Sequence, residues 1–249
     1  MNQSSNALSS DDSYIKARGT TNLGEHSPDA NYNEQITHSN TSRRQPIVKN
    51  SSPFPLNLRP HPGDALVLVD VQNDFLPGGS LAVPAGDEVI PALNRYIKAF
   101  RRASLPIYAT RDWHPPDHCS FRAQGGIWPP HCIAGSKGAE FSPKLDLPAN
   151  VVIISKATNL NADAYSDFDS PDMEQRLRQS GINRLFIGGL ATEYCVLYTV
   201  RDALARGFDV LLLLDGIRAI NVKPEDGQRA IEEMTSLGAH PIHIEDIAA

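Results

Sequence analysis

From residue 65 onward, short apolar runs alternate with segments of helical period, and this alternation restricts the fold more than any other feature. The runs are "ALVLVD" (65–70), "LPIYAT" (105–110), "VVIIS" (151–155), "RLFIGG" (184–189), "FDVLLLLD" (208–215) and "HPIHI" (240–244). Between them, "DEVIPALNRYIKAFRRA" (87–103) places Val89, Ile90, Leu93, Ile97 and Phe100 at helical spacing. "SPDMEQRLRQSG" (170–181) has Ser170 to cap, Pro171 in the first turn and Gly181 to stop. "TEYCVLYTVRDALARG" (192–207) starts at Thr192 and stops at Gly207, and "KPEDGQRAIEEMTSLG" (223–238) turns Ile231, Met234 and Leu237 inward. Apolar runs that do not alternate belong to strands covered on both faces. Strands that alternate with helices belong to βαβ units. The pattern predicts a three-layer α/β sandwich around a mostly parallel sheet of about six strands. In such sheets, ligands bind outside the carboxyl ends of the strands.

Residues 1 to about 60 have a different character. They are rich in Ser and Asn, show no apolar period and are expected to form a disordered tail, with the domain spanning 61–249. No apolar stretch follows a basic start, so no secretory signal is expected. No run approaches the roughly 18 apolar residues of a membrane span. The first 60 residues hold six basic and five acidic side chains out of 23 and 29 in the whole chain. The remainder is therefore net acidic, which argues against a nucleic-acid-binding surface. Three cysteines without an export signal point to reduced thiols and a cytoplasmic location.

Several chemistry-bearing residues fall at the predicted strand ends. Asp70 closes the first run and Lys156 follows "VVIIS". An acid there is costly to desolvate unless it finds a cation. Cys195 lies about one turn into the helix after "RLFIGG", where amide N–H groups favour a thiolate or an oxyanion. A thiol, a carboxylate to take its proton and a cation to hold both anions make a coherent catalytic set. Asp112 and His114 follow the second run two residues apart, on one side of an extended chain. That pair suits Zn, Fe or Mn, with His118 or His131 as the third ligand. Cys119 and Cys132 read as ordinary thiols. A closed zinc site made from Cys119, Cys132, His118 and His131 is the structural alternative.

Five blocks, "DVQNDF" (70–75), "TRDWHPPDHCSF" (110–121), "WPPHCIAGSKGAEF" (128–141), "SKATNLNADAYSDF" (155–168) and "GGLATEYCV" (188–196), together resemble the nicotinamidases, also called pyrazinamidases, of the isochorismatase-like cysteine hydrolases. The resemblance spans about residues 64–245 and implies a Rossmann-like fold. It implies a catalytic set of Asp70, Lys156 and Cys195. It makes Asp112, His114 and His131 the metal ligands, with His118 joining in some members, and Zn the expected ion ahead of Fe or Mn. It implies a cis peptide at Leu190–Ala191, an oxyanion hole from the N–H groups of Ala191 and Cys195, and a pocket lined by Phe75, Trp128 and Tyr165. The implied reaction hydrolyses nicotinamide through a thioester, within NAD salvage, in a protein that can form homo-oligomers. A sister amidase acting on ureido or carbamoyl amides and a non-catalytic binding protein on the same scaffold are the alternatives.

Overall fold

The computed structural model describes residues 58–248, so the expected tail lies, up to residue 57, outside the described residues. Leu58 packs against the core, and the Arg59 carbonyl accepts a hydrogen bond from Arg184. Packed structure thus begins slightly before residue 61. Six strands form one sheet: β1 (Asp64–Val69), β2 (Ile107–Asp112), β3 (Val152–Lys156), β4 (Arg184–Leu190), β5 (Asp209–Arg218) and β6 (His240–Ile242). Their order is β3-β2-β1-β4-β5-β6, and every neighbouring pair is parallel.

The helices are α1 (Val89–Arg102), α2 (Pro171–Gln179), α3 (Leu197–Ala205), α4 (Asp226–Ser236) and α5 (Ile244–Ala248). One core cluster joins Leu66, Leu68, Phe186 and Leu211 of the sheet to Leu93, Ile97 and Phe100 of α1 and to Ile247 of α5. The other joins Val67, Leu185, Ile187 and Leu212 to Leu177 of α2, Val200 of α3 and Met234 of α4. The result is the expected three layers. Burying apolar surface on both faces of the central strands contributes roughly 25 cal/mol per Å², which is what holds the layers together.

Four local expectations are corrected, the first being Leu237, expected inward but 50% exposed because α4 ends at Ser236 and Leu237 only caps it. The run "VVIIS" predicts a strand covered on both faces, but β3 is an edge strand with Ile153 46% exposed. A short apolar run does not say whether both sides of a strand are paired. The last strand stops at Ile242, because Asp246 accepts from His243 N and Asp215 accepts from Ile244 N, and these bonds start α5. The helix expected from Thr192 is regular only from Leu197. Residues Thr192–Val196 form a π-type turn with Tyr194 far from helical angles, its cap is Ala191, and Thr192 makes no capping bond.

Parallel register brings the strand ends together. Asp112 pairs with Lys156 across β2 and β3, and Val69 pairs with Gly189 across β1 and β4. Gly189 has φ +139°, and a Cβ there would lie 2.0 Å from the Val69 carbonyl oxygen. Only glycine allows β4 to approach β1 so closely just before Leu190 and Ala191.

Candidate active site

Asp70 follows β1 in the left-handed region, with φ 49°. This turn takes the chain out of the sheet and leaves the carboxylate, wholly buried, beside the ends of its neighbours. Thr110 on β2 donates to Asp70 Oδ1 at 2.9 Å. Lys156 at the end of β3 reaches inward and is also buried. Its Nζ lies 2.7 Å from Asp70 Oδ2, 2.5 Å from Asp112 Oδ1 and 3.3 Å from Cys195 Sγ. Asp70 Oδ2 and the ammonium form a close ion pair, with both groups wholly buried.

The electrostatics follow from burial and this one cation. Burial opposes charge on Lys156, but Asp112 and Asp70 outweigh it and hold the ammonium well above its usual range. Burial raises Asp70; Lys156 pulls it down, and Asp112 pushes it up again. The carboxyl therefore holds a proton more readily than a surface aspartate. Burial also raises Cys195 well above a free thiol, against the pull of Lys156. This corrects the expectation that a helix start would stabilise a resting thiolate. The segment around Cys195 is a distorted turn, and desolvation dominates there.

Asp112 is fixed from the opposite direction. The Gln72 side chain donates to Asp112 O and accepts from Asp112 N, both at 2.8 Å, and it also donates to Ala139 O. Burial would raise Asp112, but Lys156 and the facing histidines His114 and His131 hold it far below the usual carboxylate range. Ligand atoms of Asp112, His114 and His131 lie within 4.8 Å of one another. His114 is buried, its Nε2 lies 3.7 Å from Asp112 Oδ2, and neither ring nitrogen has a hydrogen-bond partner. His131 Nδ1 sits 2.8 Å from Pro129 O, which orients the ring, and burial favours its neutral form. Two imidazoles and a carboxylate, one imidazole lacking any other partner, fit a divalent metal ion.

His118 lies beside this cluster rather than in it. Its ring centroid is 4.4 Å from that of His114. Its Nε2 faces the Ala162 carbonyl at 3.1 Å, and its Nδ1 accepts from Ser120. Both nitrogens are thus engaged. The closed set with Cys119 and Cys132 is not gathered. Among the described residues, the metal-competent groups are Asp112, His114 and His131, and Asp70, Asp112 and Cys195, and all three cysteines are free.

A cavity opens onto Cys195 and Ala191. The expected Phe75, Trp128 and Tyr165 line it, and Trp128 Nε1 donates to Tyr165 Oη at 2.8 Å. Leu81, Tyr194 and Ile220 complete the wall and were not anticipated. Leu81 and Ile220 lie on loops without periodic pattern. Tyr194 stands beside Cys195, but its orientation depends on the unforeseen kink. Gln72 was also missed, although it lies within "DVQNDF". The Leu190–Ala191 peptide is cis, as expected.

Residues 64–246 match the isochorismatase domain. The chain belongs to the isochorismatase family. Within that family it is 39% identical to the nicotinamidase of Escherichia coli over 199 residues, covering 72% of this chain and 93% of that one. It is 51% identical to the pyrazinamidase of Pyrococcus horikoshii, solved in complex with zinc, with a TM-score of 0.70 and coverage of 73% and 99%. The structure of PnC1 from L. infantum in complex with nicotinate aligns at 34% identity, TM-score 0.71, with 77% and 98% covered. Among the described residues, no helix is long and apolar enough to cross a membrane.

Proposed function

We propose that this isochorismatase-family chain is a metal-containing cysteine amidohydrolase that converts nicotinamide to nicotinate and ammonia, and that it also accepts pyrazinamide. The observation that carries the reading is one ammonium in contact with a thiol and two carboxylates, beside a His/His/Asp cluster and at the floor of an aromatic pocket. The similarity to enzymes named for this reaction supports the substrate.

Asp112, His114 and His131 would hold the ion, a donor set open to Zn, Fe or Mn, with zinc favoured by the zinc-bound relative. A divalent ion held there supplies a Lewis-acidic anchor for a substrate lone pair and lowers the pKa of water. Phe75, Trp128 and Tyr165 bind the aromatic ring and exclude solvent. Cys195 Sγ attacks the carboxamide carbon as its proton passes to Asp70. Because the resting thiol is neutral, proton transfer accompanies attack. Lys156 holds the charge on both partners, and the N–H groups of Ala191 and Cys195 receive the oxyanion. Asp70 delivers the proton to nitrogen as the C–N bond breaks, and ammonia leaves a thioester. A water then gives a proton to Asp70 as it attacks. The C–S bond breaks, nicotinate departs, and Asp70 returns the proton to Cys195. Such an enzyme acts in pyridine-nucleotide salvage in the cytoplasm.

The test is ammonia release from nicotinamide by the zinc-loaded protein and by C195A. Turnover by wild type alone, with equal metal content in both, is the expected result. Near wild-type release by C195A would sink the assignment of the nucleophile. Silence from folded, loaded wild type would move the substrate to another amide.

A further inference from the structure

Asp167 occupies the short 3₁₀ turn Asp167–Asp169, two residues past Tyr165 of the pocket. The backbone of this turn is already satisfied. Ser166 Oγ accepts from Phe168 N, Asp169 accepts from Ser166 N, and Asp167 N donates to Thr199 Oγ1 at 3.0 Å. Ser166 Oγ itself donates to Asp202 at 2.8 Å. The Asp167 carboxyl takes no part in these bonds. It is wholly buried, and neither oxygen has a hydrogen-bond partner. The turn therefore gives no reason for an acid at this position.

The surroundings do give one. Asp70, Lys156 and the Thr110 hydroxyl act on the carboxyl, Asp70 opposing its charge and Lys156 and Thr110 favouring it. Burial and the charge of Asp70 push its pKa well up, with Lys156 opposing. A neutral carboxyl carries one O–H that needs an acceptor. Thr110 has given its own hydrogen to Asp70 Oδ1, so its lone pairs are free to accept.

We propose that Asp167 is a positioning residue for Asp70: its neutral carboxyl donates to Thr110 Oγ1 and so commits the Thr110 hydrogen to Asp70. Two hydrogen bonds in series polarise one another and hold the Asp70 side chain in one rotation, with Oδ2 toward Cys195 and Lys156. No proton moves along this chain during turnover. The inference rests on Asp70 being the base of the proposed amidase.

Full-length, zinc-loaded wild type, D167N, D167L, T110V and T110V/D167L are compared. Asn keeps a neutral N–H donor, and Leu keeps the shape without one. The expected result is that D167N keeps kcat for nicotinamide within about threefold, while D167L loses on the order of tenfold with little change in KM, as partners that orient a reacting group do. D167L should change the melting midpoint little, because the one hydrogen bond it removes is offset by no longer burying a carboxyl. The double variant should lose no more than T110V alone, since both interrupt one chain. Infrared spectra at neutral pH should show a protonated carboxylic acid in wild type that is missing in D167N and shifted in T110V. Equal losses in D167N and D167L, a fully active D167L, or a kcat that simply follows the melting midpoint would overturn the inference. If wild type itself leaves nicotinamide intact, the amidase reading fails, and the infrared band and its response to T110V still decide the bond from Asp167 to Thr110.

Discussion

Lys156 carries the charge balance of the site, and K156M tests that claim with little change in side-chain length. Nζ lies 2.7 Å from Asp70 and 2.5 Å from Asp112, and all three side chains are buried. At an effective dielectric of about 20, each contact is worth roughly 6 kcal/mol before desolvation. Most of that is offset by desolvating the lysine in the wild type. Removing the cation alone strands two carboxylates, which costs about 3–5 kcal/mol. For a domain of this size that is a fall in melting midpoint of roughly 6–20 °C. The drop should be larger in metal-free protein, because a bound ion neutralises Asp112 by another route. Ammonia release, assayed well below the variant's own midpoint, should fall by roughly 100- to 1,000-fold, as when one group that stabilises developing charge is lost. Calorimetry with and without zinc, next to the ammonia assay, measures both effects. A K156M protein with the wild-type midpoint in both metal states would refute the charge account, whatever its activity.

Other substitutions separate the parts of the molecule. Y165F leaves Trp128 Nε1 without its 2.8 Å acceptor and should raise KM by several-fold, about 1 kcal/mol, with kcat little changed in steady-state assays. R184L breaks the doubly bonded Arg184–Asp64 pair at the opposite end of the sheet. It should cost about 3–5 kcal/mol in denaturant unfolding without lowering kcat of the folded protein, and D64L/R184L should recover most of that loss. Stripping the metal should lower the melting midpoint, and added zinc should restore it in a concentration-dependent way in wild type and C195A but not in H114A.

The strands and the layer order were legible because βαβ units write their period directly into the sequence. Asp70, Lys156 and Cys195 were legible for a related reason: each follows an apolar run, and parallel register then brings such positions together. Asp112 and His114 announced themselves by spacing, whereas the choice between His118 and His131 needed coordinates. His118 is engaged by Ser120 and Ala162, contacts that no local pattern reveals. Gln72 acts on a residue 40 positions away, and Ile220 reaches the pocket from the loop after β5. The Tyr194 kink overrides a good helical pattern, and nothing in the local sequence marks Asp167 as a buried carboxyl.

The buried charged cluster and the pocket wall are anchored differently. Asp70, Asp112 and Lys156 stand at the ends of neighbouring strands, tied by ladder hydrogen bonds and by Gln72. Leu81, Trp128, Tyr165 and Ile220 come from connecting segments whose lengths the sheet does not fix. Mutation can therefore reshape what the cavity admits while the distances among thiol, carboxylates and ammonium stay as they are. A scaffold divided in this way is free to diversify its substrates over evolutionary time without having to reinvent its chemistry.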